Sequence, residues 1–180
     1  MIPGGGKNKG SNAERIVGQA FSKWITKGER TDLFSRNVLS GGQFTRFRKK
    51  GNDLGQPGDL IANHPLAFPF LALYTVEVKH YADLQWEAFL YDVKRTSFLW
   101  KVIIHTRKQA EETKKEWFIV VKQNNKHTLI MMDEVTATRV FSDDRWAHSL
   151  RHHVFHSGAI HVLDFNLFLR HILPRKMIYL

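Results

Sequence analysis

A chain of 180 residues is long enough to bury one sizeable core. It contains no cysteine, so neither a disulfide framework nor thiolate-bound zinc contributes to that core, and a reducing compartment fits. Hydrophobic residues make up 43% and charged residues 24%, as in soluble globular chains, and even "PLAFPFLALYTV" is too short and too broken by prolines to cross a bilayer. Lysine and arginine total 27 against 17 acids, a net charge of +10 that suits a polyanionic partner, most commonly nucleic acid.

Residues 1–10, "MIPGGGKNKG", are Gly-rich and basic and lack the apolar core of a signal peptide, so they read as a flexible tail. Helical periodicity then begins at Ser11 or Asn12, either of which can cap. Ile16, Val17, Ala20, Phe21 and Trp24 form its apolar stripe, and Lys27-Gly28 ends it. Strand-like pieces follow in "DLFSRNVL" and "GQFTRFRKK", around Ser40-Gly41-Gly42, and then the loop "GNDLGQPGD". "DLIANH" reads as a short strand, "PLAFPF" as a connection lying on apolar surface, and "LYTVEVKHY" as a central strand. Residues 92–115 turn helical, with Phe98, Val102, Ile103 and Ala110 as core candidates and Trp100 at the edge. "EWFIVVKQ" and "KHTLIMMD" read as paired strands around the turn "NNK", and "DFNLFLRHIL" as a short amphipathic helix ended by Pro174. Helix, strands, helix, strands and helix in that order imply an α/β chain with a mixed sheet flanked by helices. Residues 11–180 read as a single domain, with a core over about 11–133 and a C-terminal extension over 134–180.

The charges of "TVEVK" raise the functional question. Successive strand side chains alternate between faces, so Thr75, Glu77 and Lys79 share one face and Val76 and Val78 the other. A half-exposed strand with a polar outer face would explain this, as would charges held on a rigid element for chemistry. Asp59 opens the preceding short strand, and pairing of the two strands would set it beside Glu77 with Lys79 one pleat along. Two carboxylates and a backbone carbonyl between them make a hard oxygen site suited to Mg²⁺ shared with phosphate. Glu14, on the first helix, could complete it. A lysine beside such a site can orient or deprotonate an attacking water and stabilise phosphate charge.

"GDL" followed after a variable connection by "EVK" resembles the PD-(D/E)xK nuclease superfamily, whose restriction-endonuclease-like core is a mixed sheet flanked by helices. "KGSNAER", "SGGQ", "GD" and "EVK" together resemble, more narrowly, the archaeal-type Holliday junction resolvases and their phage relatives, over roughly residues 8–122. The resemblance implies a Mg²⁺-dependent endodeoxyribonuclease, with Mn²⁺ as a substitute, that leaves a 5′-phosphate. It implies Glu14, Asp59, Glu77 and Lys79 as the catalytic set, the three acids as metal ligands, and Ser40 in a loop near the scissile phosphate. Gln109 resembles the polar helix residue that follows the motif in many relatives. A four-way junction as substrate and a two-fold homodimer follow from the same resemblance, as does the cytoplasm, the host's if the chain is phage-encoded. Two departures stand out: Gly58 occupies the place of the motif's proline, with Pro57 one position earlier, and the connection from Asp59 to Glu77 carries the insertion "PLAFPFLAL".

Arg46, Arg48, Lys49 and Lys50 are the phosphate-contact candidates, and Lys7 and Lys9 could reach further along a DNA arm. "RHHVFHSGAIHV" offers His152, His153, His156 and His161, and helical spacing could set two imidazoles on one face for a transition metal. Without cysteine, and with Gly158 inside the segment, a surface that charges at mild acidity or core and phosphate contacts is the better reading. Alternatives to a resolvase are a restriction-like or DNA-end nuclease on linear duplex and a DNA-binding module of the same fold that does not cut.

Overall fold

The structure, a computed structural model, describes residues 5–37, 57–141, 153–155 and 160–178, with the backbone alone at 5–9, 153–155 and 176. Helix α1 (Gly5–Ile25) buries Val17, Phe21 and Trp24, while Ile16 of the same stripe is largely exposed. The helix starts at Gly5, not at Ser11 or Asn12, so residues 5–10 are helical and not a loose tail. Once the buried turns from Ala13 to Val17 nucleate it, each further residue gains a hydrogen bond for one residue fixed, even through weak helix formers. At its end Lys27 (φ +53°) and Gly28 (φ +98°) turn left-handed. The Gly28 N–H donates to the Lys23 carbonyl at 2.7 Å, as in a Schellman motif.

Strand β1 (Phe34–Arg36) pairs antiparallel with β2 (Leu60–Ala62). A 3₁₀ turn (Pro65–Ala67) and helix α2 (Phe68–Leu73) then lead into β3 (Tyr74–Tyr81), and they bury Ala67, Phe70 and Leu71. The main sheet also contains β4 (Glu116–Gln123), β5 (Thr128–Asp133), β6 (His153–Phe155) and β7 (Ile160–Asp164), in the order β3-β4-β5-β7-β6. The β3–β4 pair is parallel and the others are antiparallel, which makes the sheet mixed. A parallel pair needs a crossover, here α3 (Trp86–Leu90) and α4 (Phe98–Glu112). Helices α5 (Glu134–Phe141), α6 (Phe165–His171) and α7 (Pro174–Ile178) complete the described elements. The Asp164 carboxylate caps α6 by accepting from the Asn166 and Leu167 N–H groups.

Three local expectations change. β3 is the edge of the five-stranded sheet and not central, with the β1–β2 pair joined beyond it through the Asp59 N–H donating to the Val76 carbonyl at 2.7 Å. Trp100 is fully buried and not at the edge, because its ring packs 5.4 Å from Phe89. The His segment forms strands β6 and β7, so helical spacing of its imidazoles does not apply; His161 pairs with Glu134 (Nε2–Oε2 2.6 Å), and His152 and His156 lie outside the described residues.

The sheet has a core on each face. On one, Phe21 packs against Phe70 (5.1 Å between ring centroids) and Phe165 (5.3 Å), and Trp24 Nε1 donates to the Ile172 carbonyl at 2.7 Å. Residues 160–178, in the C-terminal segment after residue 133, thus add strand β7 to the sheet and side chains to this core. On the other face α4 packs Leu99, Val102 and Ile103 over Trp117, Ile119 and Val121. We expect Phe70→Ala to cost about 3–5 kcal/mol and Phe68→Ala, at a largely exposed position, within about 0.5 kcal/mol of nothing, as read from urea unfolding midpoints.

Candidate active site

The alternation of "TVEVK" forms as read, but its polar face is not an outer face. Thr75, Glu77 and Lys79 register with Trp117, Ile119 and Val121 of β4, the residues that α4 covers. Glu77 is consequently only 7% exposed. A polar surface stripe is excluded, and the carboxylate is held inside the protein. The Lys79 ammonium donates to Glu77 Oε1 and lies 3.6 Å from Asp59 Oδ2, bridging the two acids.

Asp59, itself 4% exposed, is fixed from several sides. Its Oδ2 accepts the Val78 N–H at 2.8 Å and its own N–H donates to Val76. Its carbonyl accepts the Asn37 N–H at 2.8 Å, and Asn37 Nδ2 donates to the Gly58 carbonyl at 2.9 Å. Gly58 makes this approach feasible. Its φ is +93°, and a Cβ there would lie 2.6 Å from the Val76 oxygen. Proline, fixed near −65°, could not take that conformation, which accounts for glycine in the motif's proline place. Glu14 reaches in from α1, where Arg36 of β1 holds its Oε2 at 2.5 Å.

Asp59, next to β2, and Glu77, on β3, are thus buried with Lys79 between them, and Glu14 stands near Asp59 from α1. Compared with known families, residues 5–168 match the family model described as phage putative PDDEXK endonuclease. The chain belongs to this family. It is therefore a nuclease of the PD-(D/E)xK superfamily, and its mixed sheet flanked by helices is the restriction-endonuclease-like fold. Neither curated proteins nor solved structures gave a match.

Burial, and after it crowding of like charge, sets the electrostatics of this candidate site. Burial first, and Asp59 second, push the Glu77 carboxyl up to about 7, against Lys79. Burial and then Asp59 also raise Glu14, with Arg36 opposing. Burial alone would lower Lys79, but Glu77 and Asp59 outweigh it and keep the ammonium charged. Nucleases of this superfamily generally use divalent metals, and the donor set, three carboxylates short of positive charge, has the hard-oxygen chemistry such ions prefer. Among the described residues, however, no three candidate ligands converge closely enough to hold an ion as they stand, because Glu14 is turned to Arg36 and Glu77 to Lys79.

Of the other residues singled out from sequence, Ser40, Arg46, Arg48, Lys49 and Lys50 lie outside the described residues. Lys7 and Lys9 fall on α1, where the backbone alone is described. Gln109 lies near the end of α4 with its Nε2 3.0 Å from His105 Nε2 and is not joined to the carboxylates by that contact. Arg36 and Asn37 are new. Only their place at the end of "FSRN" hinted at them, since partners across the fold leave no mark in local sequence.

In metal-free protein Glu77 keeps a proton that the unfolded chain, at the ordinary 4.5, has released. The folded state binds more protons across that window, so stability falls as pH rises from about 4.5 through about 7. We expect a lower urea midpoint at pH 8 than at pH 5.5, and a flatter profile in Glu77→Gln. Gly58→Ala should destabilise by about 1–3 kcal/mol in the same assay, through backbone strain and the Val76 contact.

Proposed function

We propose that this endonuclease is a metal-dependent, structure-specific DNA nuclease that resolves four-way junctions. The observation that carries the reading is the buried Glu77 carboxylate bridged to Asp59 by Lys79 on a rigid strand. The quoted likeness of "KGSNAER", "SGGQ", "GD" and "EVK" to junction resolvases supports the substrate. Asp59 and Glu77, with Glu14 as a third acid, hold the ion, Mg²⁺ with Mn²⁺ as a substitute. A divalent cation held there would supply Lewis-acid polarisation of the phosphoryl oxygen and stabilise the charge that develops on it.

Lys79 supplies the proton chemistry in this proposal. Positive charge at the carboxylates would remove what holds Lys79 protonated, so that its Nζ releases a proton to solvent, orients the attacking water and then takes the proton that this water loses. Water adds to phosphorus, the 3′ oxygen leaves, and a 5′-phosphate remains. Ser40 stands near the scissile phosphate, and Arg46, Arg48, Lys49 and Lys50, with Lys7, Lys9 and Gln109, contact DNA. Two symmetric cuts call for a two-fold homodimer, to which Leu66 and Phe68, exposed on the insertion, offer apolar surface. Among the described residues no helix is long and apolar enough to cross a membrane, and the host cytoplasm is the proposed setting.

The deciding experiment is cleavage of a labelled four-way junction beside the same arms as linear duplexes, in Mg²⁺ and in chelator. We expect paired nicks on the junction alone, lost with chelator. Equal cutting of linear duplex would replace the resolvase by a restriction-like or DNA-end nuclease. Salt-sensitive binding without cutting would leave a binding module. Glu77→Gln, Asp59→Asn and Lys79→Ala should each lower turnover at least about a hundredfold while the carboxylate variants still bind DNA. Wild-type rates in all three would overturn the assignment of the site.

A further inference from the structure

The crossover from β3 to α4 carries a surface that the proposed chemistry does not use. Tyr91 is 82% exposed and Val93 is 90% exposed, and Lys94 and Arg95 beside them are exposed too. Exposed apolar surface rimmed by polar residues marks contact sites where it is grouped, and here two such side chains stand two residues apart beside Lys94. The loop is also built to hold them out. The Tyr91 N–H donates to the Glu87 carbonyl (3.1 Å), the Arg95 N–H donates to the Asp92 carbonyl (3.1 Å), and the Asp92 carboxylate accepts from the Ser97 N–H. Arg95, at φ +56°, lays its guanidinium 4.9 Å over the Trp100 ring.

The loop's base stands against the active-site strand. Tyr81, on the same face as Glu77 and Lys79 and two residues beyond the lysine, packs edge-on at 4.6 Å against Phe98, the first residue of α4. On the other arm Phe89 is anchored under Trp100. A prong tipped by an aromatic ring and a β-branched side chain, with Lys94 beside them and its base packed on β3 through Phe98 and Tyr81, fits DNA whose base stacking is interrupted. Base–aromatic stacking and apolar wedges are how proteins hold unstacked steps, and the adjoining cations suit the phosphates. We infer that Tyr91 and Val93 stack on the bases exposed at a branch point next to the cut, with Lys94 on the adjacent backbone; this rests on reading the site as that of a DNA endonuclease.

The test is binding in Ca²⁺ of a four-way junction carrying 2-aminopurine at the branch, beside the same arms as linear duplex. Wild type should brighten the probe, and Tyr91→Ala/Val93→Ala should lose the brightening and at least about fivefold in junction affinity, with duplex affinity unchanged. Lys94→Ala should weaken both DNAs and reduce the salt slope by about one. The unfolding midpoint of the double variant should match wild type, since both side chains are exposed. Unchanged junction affinity, equal loss on both DNAs, or no brightening by wild type would each overturn the proposal. Conversion of a dimer to monomer by the double variant, with DNA binding intact, would reassign the prong to self-association. Failure of wild type to cut in Mg²⁺ would count against the nuclease chemistry alone and leave this comparison valid.

Discussion

A carboxylate buried under a helix constrains everything around it. Glu77 lies on the sheet face that α4 covers, and an isolated charge there would be costly, so it must be compensated locally. Lys79, one pleat along on the same face, forms ion pairs with both Glu77 and Asp59. Asp59 is in turn stabilised by a backbone N–H from the strand that carries both partners. The compensation is incomplete, which is why Glu77 titrates near neutrality and why the site favours added positive charge. The edge position of β3 follows from the same need, since Asp59 has to arrive from outside the sheet and meet the strand through its unpaired side.

How much of this the sequence disclosed depends on the range of the interaction. The two-residue alternation of "TVEVK" placed Glu77 and Lys79 on one face, and the short strand after Pro57-Gly58 placed Asp59 next to them. Both are local rules of strand geometry. Whether that face met solvent or α4 was not legible, because packing across the sheet is decided by residues 98–112 and not by the strand itself. The burial of Trp100 and the exposure of Ile16 escape the local pattern for the same reason. Helical period gives a stripe, while its exact width depends on neighbours far along the chain. Helicity before Ser11 was hidden because glycines weaken a helix without forbidding it. Arg36 and Asn37 hold Glu14 and Asp59 through contacts spanning some twenty residues, which no local spacing encodes.

The two departures from the superfamily pattern become intelligible as consequences of packing. The position before Asp59 lies backbone against backbone on Val76 in this chain, and a glycine at positive φ permits it. The long connection likewise contributes structure. Its Phe70 stacks parallel to Phe118 of β4 at 6.3 Å and lies 5.2 Å from Tyr74 and 5.7 Å from Phe34. Those contacts tie the start of β3 to β4, and the β1–β2 pair to both, on the face opposite Glu77. The insertion therefore braces from behind the strand that carries the site, and the number of residues between Asp59 and Glu77 can vary as long as the chain returns to β3 in register with Asp59.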